Sequence, residues 1–82
     1  MARILDFPEL EKAVRMAVRY LGQKGVIIRD WHIERILGGG DTLWLVHTDG
    51  RIQRMFLIRD NVKQTAADIV EAALEANPLT FL

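Results

Sequence analysis

The sequence contains no cysteine and no serine. Without thiols it has neither a disulfide nor a zinc–thiolate site, so a small chain has to be stabilised by packing or by association. Without serine or cysteine, the usual nucleophile–base pairs reduce to threonines with no evident partner. No apolar run approaches the roughly 20 residues of a membrane span, and Met1-Ala2-Arg3-Ile4-Leu5 is too short for a signal peptide. A soluble cytoplasmic protein is expected. Excess charge is also missing. Eleven basic residues balance eleven acidic ones, which removes the broad positive field of a nonspecific nucleic-acid binder. No internal repeat, low-complexity tract or linker interrupts the chain, and no stretch matches a catalytic, metal or nucleotide motif with useful specificity.

What is present is apolar. Half of the 82 residues are hydrophobic, yet a chain of this length buries only roughly 60 to 65% of the surface its unfolded form exposes. One small domain spanning residues 1–82 is therefore expected, with some apolar surface left to face a partner.

The stretch from Val26 to Ile58 reads as three strands joined by hairpins at Gly38-Gly39-Gly40 and Asp49-Gly50, where glycine supplies the positive φ of a tight loop. A helix precedes it. Asp6 is placed to cap, Pro8 suits a first turn and Glu9 completes a capping box. Phe7, Leu10, Val14, Ala17, Val18 and Leu21 then form an apolar stripe, and Gly22 and Gly25 bracket the helix end, Gly22 being a candidate left-handed terminator. A second helix comes after the strands, capped by Asp60 or Asn61, with Val62, Ala66, Ile69, Val70, Ala73 and Leu74 as its stripe and Asn77-Pro78 as its stop. The fold class is α+β, in the order α-β-β-β-α, with a three-stranded antiparallel meander and both helices on one face.

With two-residue turns at both hairpins, Trp31, Ile33, Leu37, Trp44, Val46, Met55 and Leu57 share the helix-covered face. Asp30, His32, Glu34, Leu43, Leu45, His47, Ile52, Arg54, Phe56 and Ile58 share the other. A three-residue loop at Thr48-Asp49-Gly50 re-pairs the third strand but leaves large apolar groups on both sides. The second face is thus half apolar, and the tail Leu79-Thr80-Phe81-Leu82 is too apolar for an ordinary solvated terminus.

Several residues invite a chemical reading. In the two-turn register His32 and His47 lie opposite each other with Asp30 and Glu34 nearby, a set whose donors suit a transition ion. Alternating polar residues are also what any strand presents to solvent, so no metal and no cofactor is expected. Gly38-Gly39-Gly40-Asp41 leads into a strand rather than a helix, which favours a turn over a phosphate cradle. Trp31 and Trp44 suit base stacking if exposed and core packing if not, and packing is favoured. Asp49, Glu34 and Asp41 sit in turn and strand contexts that do not assemble an acidic site.

The element order resembles that of double-stranded RNA-binding domains, which present a lysine-rich start of the second helix to phosphates. Here that segment reads Asp60-Asn61-Val62-Lys63-Gln64-Thr65-Ala66-Ala67, with Lys63 as its only lysine. The order also resembles HicA-type toxins, small RNA-cleaving proteins with a Gly-Ser-His stretch on an early strand, where this chain has Asp30-Trp31-His32. The first resemblance implies a nucleic-acid-binding module, for which the basic residues Arg51, Arg54, Arg59 and Lys63 are the candidate phosphate contacts, and the second a small nuclease dependent on His32. The residues themselves favour a noncatalytic protein-interaction or regulatory module. It is expected to self-associate as a homo-oligomer through Leu43, Leu45, Ile52, Arg54, Phe56, Ile58 and Phe81.

Overall fold

The structure, a computed structural model, describes residues 5–36 and 40–75. Helix α1 spans Phe7–Gln23. Its start is the expected capping box: the Glu9 amide donates to Asp6 Oδ1 at 2.9 Å, and the Asp6 amide donates back to Glu9 Oε1 at 3.2 Å. Its end does not fall at Gly22. Gly25 takes the left-handed conformation at φ 86, the Val26 amide donates to the Leu21 carbonyl at 2.8 Å, and the Gly25 amide donates to Gly22 at 3.1 Å. This paired closure favours an apolar residue at each end of its longer bond. Leu21 and Val26 supply that pair, whereas a stop at Gly22 would match Val18 with Gln23.

Strands β1 (Ile28–Ile36), β2 (Gly40–His47) and β3 (Ile52–Leu57) form one antiparallel sheet in the order β1-β2-β3. Helix α2 covers Val62–Glu75. Asn61 rather than Asp60 caps it, its Oδ1 accepting from the Gln64 amide at 2.8 Å while its carbonyl accepts from Thr65 Oγ1 at 2.7 Å. Both helices lie on the same side of the meander, as the α-β-β-β-α reading expects.

The register departs from the two-turn expectation at both hairpins. Ile36 pairs with Gly40, and Val46 pairs with Ile52 so that His47 faces Arg51, which leaves three residues in each connection. At the second, the Gly50 amide donates to the His47 carbonyl and the His47 amide to the Arg51 carbonyl, both at 2.9 Å, with Gly50 at φ 88. This glycine-bulge turn asks for a left-handed residue only at Gly50, whereas a two-residue type I′ turn would ask Asp49 for one as well.

Each extra residue turns a strand over. The first inverts β2 against β1 and the second inverts β3 against β2, so the two inversions cancel between the outer strands. Trp31, Ile33, Met55 and Leu57 therefore share the helix-covered face as expected, but β2 contributes Leu43, Leu45 and His47 instead of Trp44 and Val46. The expectation that Leu43 and Leu45 face a partner is corrected accordingly: both are fully buried under the helices.

The core joins Leu10, Val14 and Leu21 of α1 to Ile33, Leu43, Leu45, Met55 and Leu57 of the sheet and Ile69 of α2. Where the two helices meet, Ala13, Ala17, Ala66 and Ala73 are all buried, and their small side chains allow close approach. Phe7 and Leu74, assigned to the stripes, are instead about half-exposed.

Candidate interaction surfaces

The sheet face turned away from the helices takes every second residue of each strand. Cross-strand pairs place Val46 beside Ile52, Trp44 beside Arg54 and Thr42 beside Phe56. On the other flank Asp30 pairs with Val46, His32 with Trp44 and Glu34 with Thr42. The face is thus apolar over β2 and β3 and polar along β1. Phe56 is 66% exposed and Ile58 83%. Trp44 and Val46 are half-buried, and the Arg54 guanidinium lies 5.5 Å from the centroid of the Trp44 ring.

Of the residues expected at an interface, Ile52, Arg54, Phe56 and Ile58 are brought together here. Leu43 and Leu45 are not, and Phe81, like the rest of residues 76–82 and the loop residue Leu37, lies outside the described residues. Trp44 and Val46 take the places expected of the two leucines.

The two histidines separate. His32 is exposed on the outer face, whereas His47 is buried on the core side and bonds through Nε2 to Gln53 Oε1 at 2.9 Å. The Gln53 amide nitrogen donates to the Ala72 carbonyl of α2 at 3.0 Å. Fully buried Gln53 thus links β2, β3 and α2, a role that its place in an alternating strand does not announce. A second polar link ties the chain's start to the sheet. Arg35 donates through Nε to Asp41 Oδ1 at 2.8 Å and through Nη2 to the Leu5 carbonyl at 2.6 Å. The bond to Asp41 raises the Arg35 pKa above its ordinary value.

The basic residues considered for nucleic acid are held in different local settings. Arg51 holds Asp49 at 2.6 Å within the hairpin turn, and Arg59 holds Asp68 of α2 at 2.8 Å. Backbone and side-chain bonds from Arg51 hold the Asp49 carboxyl below its usual range, and the bond to Asp68 raises the Arg59 pKa. Arg54 lies over Trp44, and Lys63 is exposed in the first turn of α2.

A third feature lies on the far side of the molecule. Between the outward flanks of the two helices runs an apolar groove of about 680 Å³. Ala17 and Ala66 line it beside the larger Met16, Tyr20, Val70 and Leu74. Met16 is 42% exposed, Tyr20 44% and Leu74 49%.

No protein-family model, curated protein or solved structure matches this chain.

Proposed function

We propose that this chain is a noncatalytic protein-interaction module that docks on another polypeptide through its outer sheet face. The observation that carries this reading is the apolar patch of Trp44, Val46, Ile52, Phe56 and Ile58, gathered on one side of the sheet with no element of the chain described over it. Apolar side chains exposed together, with polar residues along one flank, are the usual composition of a protein-binding surface. The two aromatic rings and Arg54 belong to the residue types that dominate binding energy at such surfaces. The nucleic-acid reading has weaker support, because Arg51 and Arg59 are engaged with carboxylates of the same chain.

The test is a pull-down from native cell extract with the wild-type chain and with Phe56→Asp. A protein retained by the wild type and lost with the variant, at both low and moderate salt, supports docking through this face. Binding that collapses steeply with salt and is displaced by added duplex RNA or DNA points to phosphate contacts instead. Identical captures by the two proteins would refute the assignment of the face.

A further inference from the structure

We infer that the helix side of the molecule is a second, independent interface, and that its occupant is another copy of this chain. Three observations meet at the groove between α1 and α2. Its walls are apolar and half-exposed at Met16, Tyr20 and Leu74. Its α2 rim, the ridge Lys63-Ala67-Glu71-Glu75, is acidic over its second half, where Glu71 and Glu75 line the groove. Its α1 rim is basic: Lys12, Met16, Tyr20 and Lys24 recur at four-residue steps along one ridge, and Lys24 Nζ lies 5.4 Å from the centroid of the Tyr20 ring. Toward the ends of the helices the two flanks carry opposite charges, Lys24 on one and Glu71 and Glu75 on the other, about an apolar centre, and that part of the face is complementary to itself.

The topology sets the two copies in the right sense. Helix α1 is joined to β1, and β3 to α2, by short connections, so each helix runs back along the edge strand that it adjoins. β1 and β3 point the same way in a three-stranded meander, and the helices are therefore side by side and parallel. A twofold axis lying along them, in the plane of contact, sets α1 of one copy over α2 of the other. It brings Lys24 near the end of α1 level with Glu71 and Glu75 near the end of the partner's α2. The same contact is made twice, as a twofold interface requires. Tyr20 and Leu74 are buried at its centre, where an aromatic anchor contributes most. The arrangement leaves both outer sheet faces pointing away from each other and free for docking on a different polypeptide.

Charge reversal provides the test, read by sedimentation equilibrium of the full chain at micromolar concentrations. The wild type is expected to approach twice its 9.4 kDa mass. Lys24→Glu alone, and Glu71→Lys with Glu75→Lys in one chain, each set like charges against each other in a homodimer and are expected to weaken it by about tenfold or more. An equimolar mixture of the two variants restores opposite charges at both contacts and is expected to recover the wild-type association. Phe56→Asp, on the opposite side, is expected to leave the dimer intact. All of these positions are exposed, and circular dichroism checks that each variant is folded. A dimer indifferent to both reversals, a mixture that fails to recover, or a dimer lost with Phe56→Asp overturns the inference. So does a monomeric wild type, whether the groove is then empty or filled by residues 76–82 or by a different protein.

Discussion

Trp44 and Leu45 are neighbours in sequence and face opposite ways, and the energetic consequences differ sharply. Leu45 is fully buried beneath the helices, so Leu45→Asp places a carboxylate with no partner in the core. That costs several kcal/mol, on the order of the whole stability of a small domain. Phe56 is mainly solvent-exposed in the absence of a partner, and Phe56→Asp is expected to cost about 1 kcal/mol or less. Urea melts followed by circular dichroism compare the two, and a Leu45→Asp chain as stable as Phe56→Asp would show the faces to be inverted. The hairpin carboxylate gives a pH signature. Asp49 accepts from the Arg51 amide at 3.0 Å and from its guanidinium, and its pKa is lowered from the ordinary 3.8. A depressed carboxylate contributes stability that is complete above its unfolded value and is lost as pH falls through its folded value. The turn should therefore hold at neutral pH and loosen only below about pH 4. A carbon-detected NMR titration of Asp49 is expected to show a midpoint below 3.8, and one at or above that value would contradict the bonding described.

At the scale of elements, start signals were more legible than side-chain directions. The helix starts at Asp6 and Asn61 are local: a cap and the amides it satisfies lie within three residues. The position of the helix end was less plain, because it depends on the residue after the glycine. Gly22 precedes Gln23 and Gly25 precedes Val26, and only the valine is an apolar residue able to meet its counterpart one turn back, Leu21. A paired prediction tests the difference. Gly25→Ala forces a side chain into the left-handed region and is expected to cost about 1–2 kcal/mol. Gly22→Ala, helical and with open space around an added Cβ, is expected to stabilise by about 0.5–1 kcal/mol. Thermal melts of the two variants should move in opposite directions. Strand faces were hard to read for another reason. β2 carries bulky apolar groups at both parities, Leu43 and Leu45 on one and Trp44 and Val46 on the other, so alternation alone does not decide which pair goes inside. Loop length decides it, and a run of three glycines does not reveal how many of its members belong to the turn. Of the residues expected at an interface, those on β3 stay on the outer face because the two inversions cancel there. Those on β2 do not.

Taken whole, the molecule has one buried layer and two outward sides of different character. The sheet side is apolar with a polar flank, and the helix side is apolar between flanks that carry opposite charges toward the helix ends. The balance of eleven positive and eleven negative charges is thus an average over an uneven surface, and net neutrality leaves association to local pairing rather than to long-range repulsion or steering. The cancelling inversions also bear on how such a chain can change length over time. Shortening the first connection by one residue turns over everything after it, sending Met55 and Leu57 outward and Phe56 and Ile58 under the helices. Shortening the second alone does the same to β3. Shortening both turns over β2 only and leaves the outer strands and their helices in place. Insertions and deletions in the two loops are therefore coupled: a one-residue change in either is tolerable only when matched in the other, so descendants of this fold should differ at the two hairpins in step.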